Sequence, residues 1–113
     1  MITVNELKKM IQKFMALEQD EEANSTEWAY VMLEPALLES QEVTLDYLAQ
    51  IENKEEFMAL GENSWFSYIL GHFESAEIHN AIEERYARFF GADKDTPFYK
   101  EHIEKLAAIL KHS

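Results

Sequence analysis

The chain has 113 residues, 47% of them apolar and 12% aromatic, and its 22 acidic against 10 basic side chains give a formal net charge of −12. That length suits one globular domain with its own core, and the apolar content separates the chain from acidic disordered sequences. The lack of cysteine excludes disulfides, thiolate metal sites and cysteine nucleophiles, and three Gly and two Pro leave little room for the turns of an all-β fold.

The first helix is announced by Thr3-x-x-Glu6, a capping box that satisfies orphan backbone donors. Leu7, Met10, Ile11, Phe14 and Leu17 follow at helical spacing, with Lys8, Lys9 and Lys13 facing away, and the pattern fades near Gln19. Asp20-Glu21-Glu22-Ala23-Asn24 reads as a short polar linker. Asn24, Ser25 or Thr26 can cap a second helix carrying Trp28, Val31 and Met32. Pro35 lacks a donor and clashes with the preceding turn, so it is expected to kink this helix or begin a new one. Ala36, Leu37 and Leu38 continue the apolar signal to about Ser40. Thr44 is a candidate cap for a short helix with a narrow stripe of Leu45, Leu48 and Ile51. Asn53 and Glu56 resemble another capping box, here opening the longest helix, over about residues 53–73. Its Phe57, Met58, Leu60, Trp65, Phe66, Ile69, Leu70 and Phe73 cover most of the circumference, as in a central buried helix. Gly61 inside it calls for close packing or a kink. Ser75 caps an amphipathic helix with Ile78, Ala81, Ile82, Tyr86 and Phe89, and Gly91 suits a left-handed terminator. Thr96-Pro97 opens a last helix with Phe98, Ile103, Leu106 and Leu110 inward. No strand or internal repeat is evident. The expectation is an all-α fold, a single-domain irregular bundle of five or six helices over residues 1–113.

Charge is distributed unevenly. Residues 18–84 hold seventeen acids and one base, Lys54, and the other bases lie toward the two ends. Such a field repels nucleic acid and anionic membrane and attracts basic proteins. Lys8, Lys9 and Lys13 form a local patch on one helix face and no phosphate-binding stripe. The opening Met1-Ile2-Thr3-Val4-Asn5-Glu6 lacks the basic and apolar regions of a secretory signal, and no apolar stretch nears the roughly 20 residues that span a bilayer. The chain is expected to be cytoplasmic, and monomeric when free.

Catalytic chemistry has little support. Glu-x-x-His pairs and His-Glu-x-x-His are absent. His79 and Glu83 stand one turn apart, with His72 seven residues earlier, a spacing typical of structural or surface histidines. Ser64, Ser67 and Ser75 lack a Gly-x-Ser-x-Gly context, and no Gly-rich phosphate loop occurs. Glu55-Glu56 and Glu83-Glu84 read as solvated helix starts and faces rather than a hydrolytic carboxylate pair. No catalytic residue, metal site or cofactor is expected.

The acids remain as the feature with a use. Glu34, Glu39, Glu42, Asp46, Glu52, Glu55, Glu56 and Glu62 come from short helices and their junctions, where carboxylates can converge on one face. Docking against a Lys/Arg-rich protein through such a face accelerates association and fixes partner choice. Tyr47 and Tyr68 are candidate anchors at that interface, since an apolar ring with a polar tip suits one. Trp28 and Trp65 fit the core better.

A small, cysteine-free, strongly acidic helical chain resembles the immunity proteins that protect bacteria from toxins, including those of contact-dependent growth inhibition. The resemblance runs through Thr44-Leu45-Asp46-Tyr47-Leu48, Glu55-Glu56-Phe57, Ser64-Trp65-Phe66 and Phe73-Glu74-Ser75-Ala76-Glu77-Ile78. It covers under half the chain and is a pattern of helices and caps. The adjacent Tyr-Tyr pair of colicin-nuclease immunity proteins is absent, so no binding residue carries over from them. The resemblance implies a non-enzymatic protein that binds and blocks a basic toxin domain, a nuclease above all. The alternative is a helical adaptor or regulator that holds a basic partner protein in a groove.

Overall fold

Short polar side chains decide where the helices begin. Thr3 Oγ1 accepts from the Glu6 amide at 3.2 Å and opens α1, Val4–Glu18. The reciprocal half of the box differs from the ideal, because the Glu6 carboxylate takes the Thr3 hydroxyl at 3.1 Å. Asn24 Oδ1 accepts from Glu27 N at 3.0 Å to cap α2, Ser25–Trp28. Asn53 Oδ1 does the same for α5, Lys54–Glu62, and Ser75 Oγ for α7, Ala76–Phe90. Each satisfies a backbone donor that the first helical turn leaves without a partner.

The computed structural model describes residues 1–91. The last helix expected at Thr96-Pro97, with Phe98, Ile103, Leu106 and Leu110, lies outside the described residues. Among the described residues every regular element is helical and there is no strand. Contacts along the chain separate two units, Met1–Tyr47 and Leu48–Ser113.

In the first unit Leu7, Ile11 and Phe14 form the buried stripe of α1. Asp20 turns the chain after it, its carboxylate accepting from Glu22 N at 3.0 Å. From Ser25 the backbone is helical to Glu39, but not uniformly. α2 runs into a π-helical segment, Ala29–Leu33, and then into α3, Glu34–Glu39. The Glu34 amide reaches back five residues to the Ala29 carbonyl. Pro35 explains the wider turn: it has no N–H to give, and its ring would press on the carbonyl four residues earlier. The residues flanking the π segment all keep right-handed helical angles. Pro35 stands in the first turn of α3, so a new helix does begin there, and the junction with the preceding segment is a change of winding. Ala29, Leu33, Ala36 and Leu37 are the buried side chains of this run.

α4, Gln41–Gln50, starts earlier than Thr44. Ser40 occupies the extended position before it and accepts from Val43 N at 3.3 Å. Thr44 has a different role: it is buried, and its hydroxyl donates to the Leu37 carbonyl at 2.6 Å. That bond serves an acceptor in the last turn of α3, where carbonyls lack helical partners.

In the second unit the expected long helix is two. α5 stops at Glu62 and α6 occupies Trp65–Phe73. Three local preferences coincide at the break. Gly61 is a poor helix former, Asn63 Nδ2 takes the Ala59 carbonyl at 2.7 Å, and Ser64 adopts φ 66°, ψ 16°. The Ser64 amide closes the turn on the Gly61 carbonyl at 3.1 Å. Phe57, Leu60, Trp65, Phe66, Ile69 and Leu70 from both pieces are buried, with Ile78, Ile82 and Tyr86 of α7. Phe57 is central, its ring 4.9 Å from Phe66 and 5.6 Å from Phe89. α7 ends at Gly91, whose positive φ of 73° agrees with a glycine terminator.

Candidate protein-interaction surface

The proposed acidic residues divide between the units. Glu34, Glu39, Glu42, Asp46 and Tyr47 belong to the first, and Glu52, Glu55, Glu56, Glu62 and Tyr68 to the second.

In the second unit Glu52 and Glu55 line one shallow open groove with Asn53, Lys54 and Met58. The three bases of residues 48–91 are Lys54, Arg85 and Arg88, and each is engaged close by. Arg85 donates to the Ala49 carbonyl and Arg88 lies 4.0 Å from the Glu52 carboxylate. Lys54 Nζ sits 4.4 Å from the centroid of the Phe90 ring. Two arginines from the end of α7 thus meet the C-terminal end of α4, where unpaired carbonyls and the helix dipole favour cations. Glu62 is at the far end of α5, about 10 Å along the axis from Glu55 at 1.5 Å per residue. Tyr68 is 40% exposed, its ring 5.4 Å from Trp65.

Two of the proposed contact residues face inward. Tyr47 is 1% exposed, so its ring is core and cannot anchor a partner. Glu56 is 8% exposed. It stands in the first turn of α5, where a carboxylate is stabilised by the helix's own N-terminal amides. Trp65, at 3% exposure, is core as expected.

In the first unit most of the acids fall in one stretch of sequence without bases. Residues 18–46 contain nine carboxylates and no Lys or Arg. Eight of the nine are exposed, and Glu34 is half-buried. Glu42 and Asp46 are one turn apart on α4 and share a face. Glu39 Oε2 accepts the Ile2 amide at 3.2 Å.

The same unit exposes an apolar surface on the helix that carries Trp28, Val31 and Met32. Val31 is 64% exposed, Met32 48% and Tyr30 46%, while Trp28 is half-buried. The reason is a competition between two stripes. Ala29, Leu33, Ala36 and Leu37 recur at i, i+4, i+7 and i+8 and are enough to face the core. Trp28, Val31 and Met32 are therefore turned the other way, where with Asn24 and Glu27 they line an open groove of about 430 Å³. Lys13 of α1 places its ammonium 5.4 Å from the centroid of the Trp28 ring, within range of a cation–π contact. The completeness of the 29/33/36/37 stripe was the sequence signal for this outward face.

The chain matches no family model, no curated protein and no solved structure.

No group of three or more His, Asp or Glu side chains suited to a metal ion occurs among the described residues. His79 Nε2 is buried without a hydrogen-bond partner and lies 3.8 Å from Glu83 Oε1. The two stand one turn apart on α7. Nor is any described helix long and apolar enough to cross a membrane.

Proposed function

We propose that this chain is an immunity-type binding protein that neutralises a basic toxin domain, a nuclease being the toxin whose cationic groove its carboxylates would best cover. The observation that carries the reading is the base-free run of nine carboxylates over residues 18–46, eight of them exposed. A surface so composed steers a cationic partner toward itself and rejects anionic ones. It would compete for the same cationic groups that hold phosphate in a nuclease. The reading places the chain in the cytoplasm, where an incoming nuclease would meet its substrate.

The deciding experiment titrates the tagged protein against the C-terminal domain of a large protein encoded beside it. A one-to-one complex that abolishes the toxicity of that domain is the expected result. The Glu42→Lys, Asp46→Lys double variant should then associate about tenfold more slowly at low salt and approach the native rate at high salt. An unchanged association rate would remove this face from the interface. A stable complex with a basic partner that is not toxic would favour the adaptor reading instead.

A further inference from the structure

Carboxylates accelerate encounter, but exposed charges hold a complex weakly, and a lasting interface needs apolar anchors. The first unit displays such anchors at its π-helical turn. Asn24, Glu27, Trp28, Val31 and Met32 line one groove, and their spacing is i, i+3, i+4, i+7 and i+8. This is the seam that one helix offers to another, about 12 Å long at 1.5 Å per residue. Three neighbouring large apolar side chains, Tyr30, Val31 and Met32, are each close to half exposed or more. A π turn spends regular winding and recurs at functional sites.

We propose that this seam docks an amphipathic helix of the partner, which lays an apolar stripe on Trp28, Val31 and Met32 and carries Lys or Arg on its flanks. Charge selects this occupant. Glu27 lies in the seam one turn before Val31, and Glu34 one turn after Tyr30, so carboxylates stand before and after the apolar patch. A second copy of the chain would bring the same carboxylates against each other around a symmetry axis, which is repulsive. A basic helix would meet them with opposite charge. Lys13 covers the Trp28 ring from α1, leaving Val31 and Met32 as the more open part of the patch. The inference rests on the reading of the chain as a partner-binding protein, and adds the element of the partner that is gripped.

The test is an NMR titration of the full chain with a 14-residue helical peptide of Leu and Lys, the Leu at i, i+3, i+4 and i+7 spacing. Two control peptides replace all Lys by Glu, or all Leu by Ser. Shifts centred on residues 24–35 are expected with the Leu/Lys peptide. Binding should weaken about tenfold or more with either control, and likewise in the Val31→Ser, Met32→Ser double variant. Both substitutions are at exposed positions, and thermal unfolding monitors that the variant remains folded. Shifts centred elsewhere, equal binding of the Leu/Glu peptide, or full binding by the variant would each overturn the proposal. So would a native dimer by sedimentation that the variant converts to monomer, since the occupant would then be a second copy. A toxin domain bound equally by native and variant chains would sink this inference and leave the immunity reading standing. A peptide bound at the seam, beside a neighbouring toxin that does not bind, would sink the immunity reading alone.

Discussion

Two apolar helical runs in this chain meet an interruption, and they resolve it in opposite ways. In residues 25–39 Pro35 removes a donor, yet the backbone stays right-handed and only the winding loosens, through Ala29–Leu33. In residues 54–73 no proline is present, yet the helix ends outright and restarts after a left-handed Ser64. The difference follows from what each run must bury. The first has one sufficient stripe, Ala29, Leu33, Ala36 and Leu37, and can leave its other apolar face in solvent. The second is apolar nearly all round, and one straight helix would strand part of that surface. Breaking it lets Phe57 and Leu60 of α5 and Trp65, Phe66, Ile69 and Leu70 of α6 all be buried. Outward apolar surface therefore collects at the π turn. Inward aromatic surface collects around Phe57.

The largest loss is expected at Phe57. Its ring is fully buried and contacts Phe66, Phe89 and Phe90. Phe57→Ala should lower stability by about 3–5 kcal/mol, combining lost transfer energy with a residual cavity, as measured by urea unfolding. A loss below about 1 kcal/mol would mean that the second unit does not rely on this cluster. In the first unit the corresponding weak point is polar. Thr44→Val keeps the shape but removes the hydroxyl that donates to the Leu37 carbonyl at 2.6 Å. About 1–2 kcal/mol should be lost, because a buried acceptor is left without its donor. A neutral substitution would indicate that the Leu37 carbonyl finds water or another donor.

Much of this fold was legible in the sequence where a local rule had no competitor. Thr3, Asn53 and Ser75 cap the helices that their spacing announces, and Leu7, Ile11 and Phe14 or Ile78, Ile82 and Tyr86 face inward as their periodicity requires. The misreadings occur where two local rules conflict. Trp28, Val31 and Met32 form a second apolar stripe beside Ala29, Leu33, Ala36 and Leu37, one position shorter, and packing buries the more complete one. At Thr44, an earlier serine takes the cap and the threonine hydroxyl is drawn to a carbonyl of the preceding helix. Of the proposed contact residues, Tyr47 and Glu56 face inward, since an amphipathic ring and a first-turn carboxylate each have a structural use that spacing does not distinguish from an interfacial one. The groove at Asn24, Glu27, Trp28, Val31 and Met32 was hidden for the same reason, its three apolar residues reading only as the stripe of a helix and Asn24 as a cap.

The smallest expected effect is also the sharpest contrast between the two interruptions, because one substitution should act with opposite sign at each. Ser64 has φ 66°, where an L side chain meets its own backbone. Ser64→Gly relieves that strain, worth roughly 1–2 kcal/mol, but adds roughly 0.5–1 kcal/mol of unfolded-chain entropy, for a net gain of about 0.5 kcal/mol. Glu34, beside Pro35, has φ −56° and ψ −51° and carries no such strain. Glu34→Gly gains nothing from backbone freedom and should lose about 0.5–1 kcal/mol of helix propensity. Parallel thermal melts of the two variants read the difference directly. If both were destabilised, the α5–α6 break would be imposed by packing around it, and Ser64 would contribute its left-handed turn at little strain.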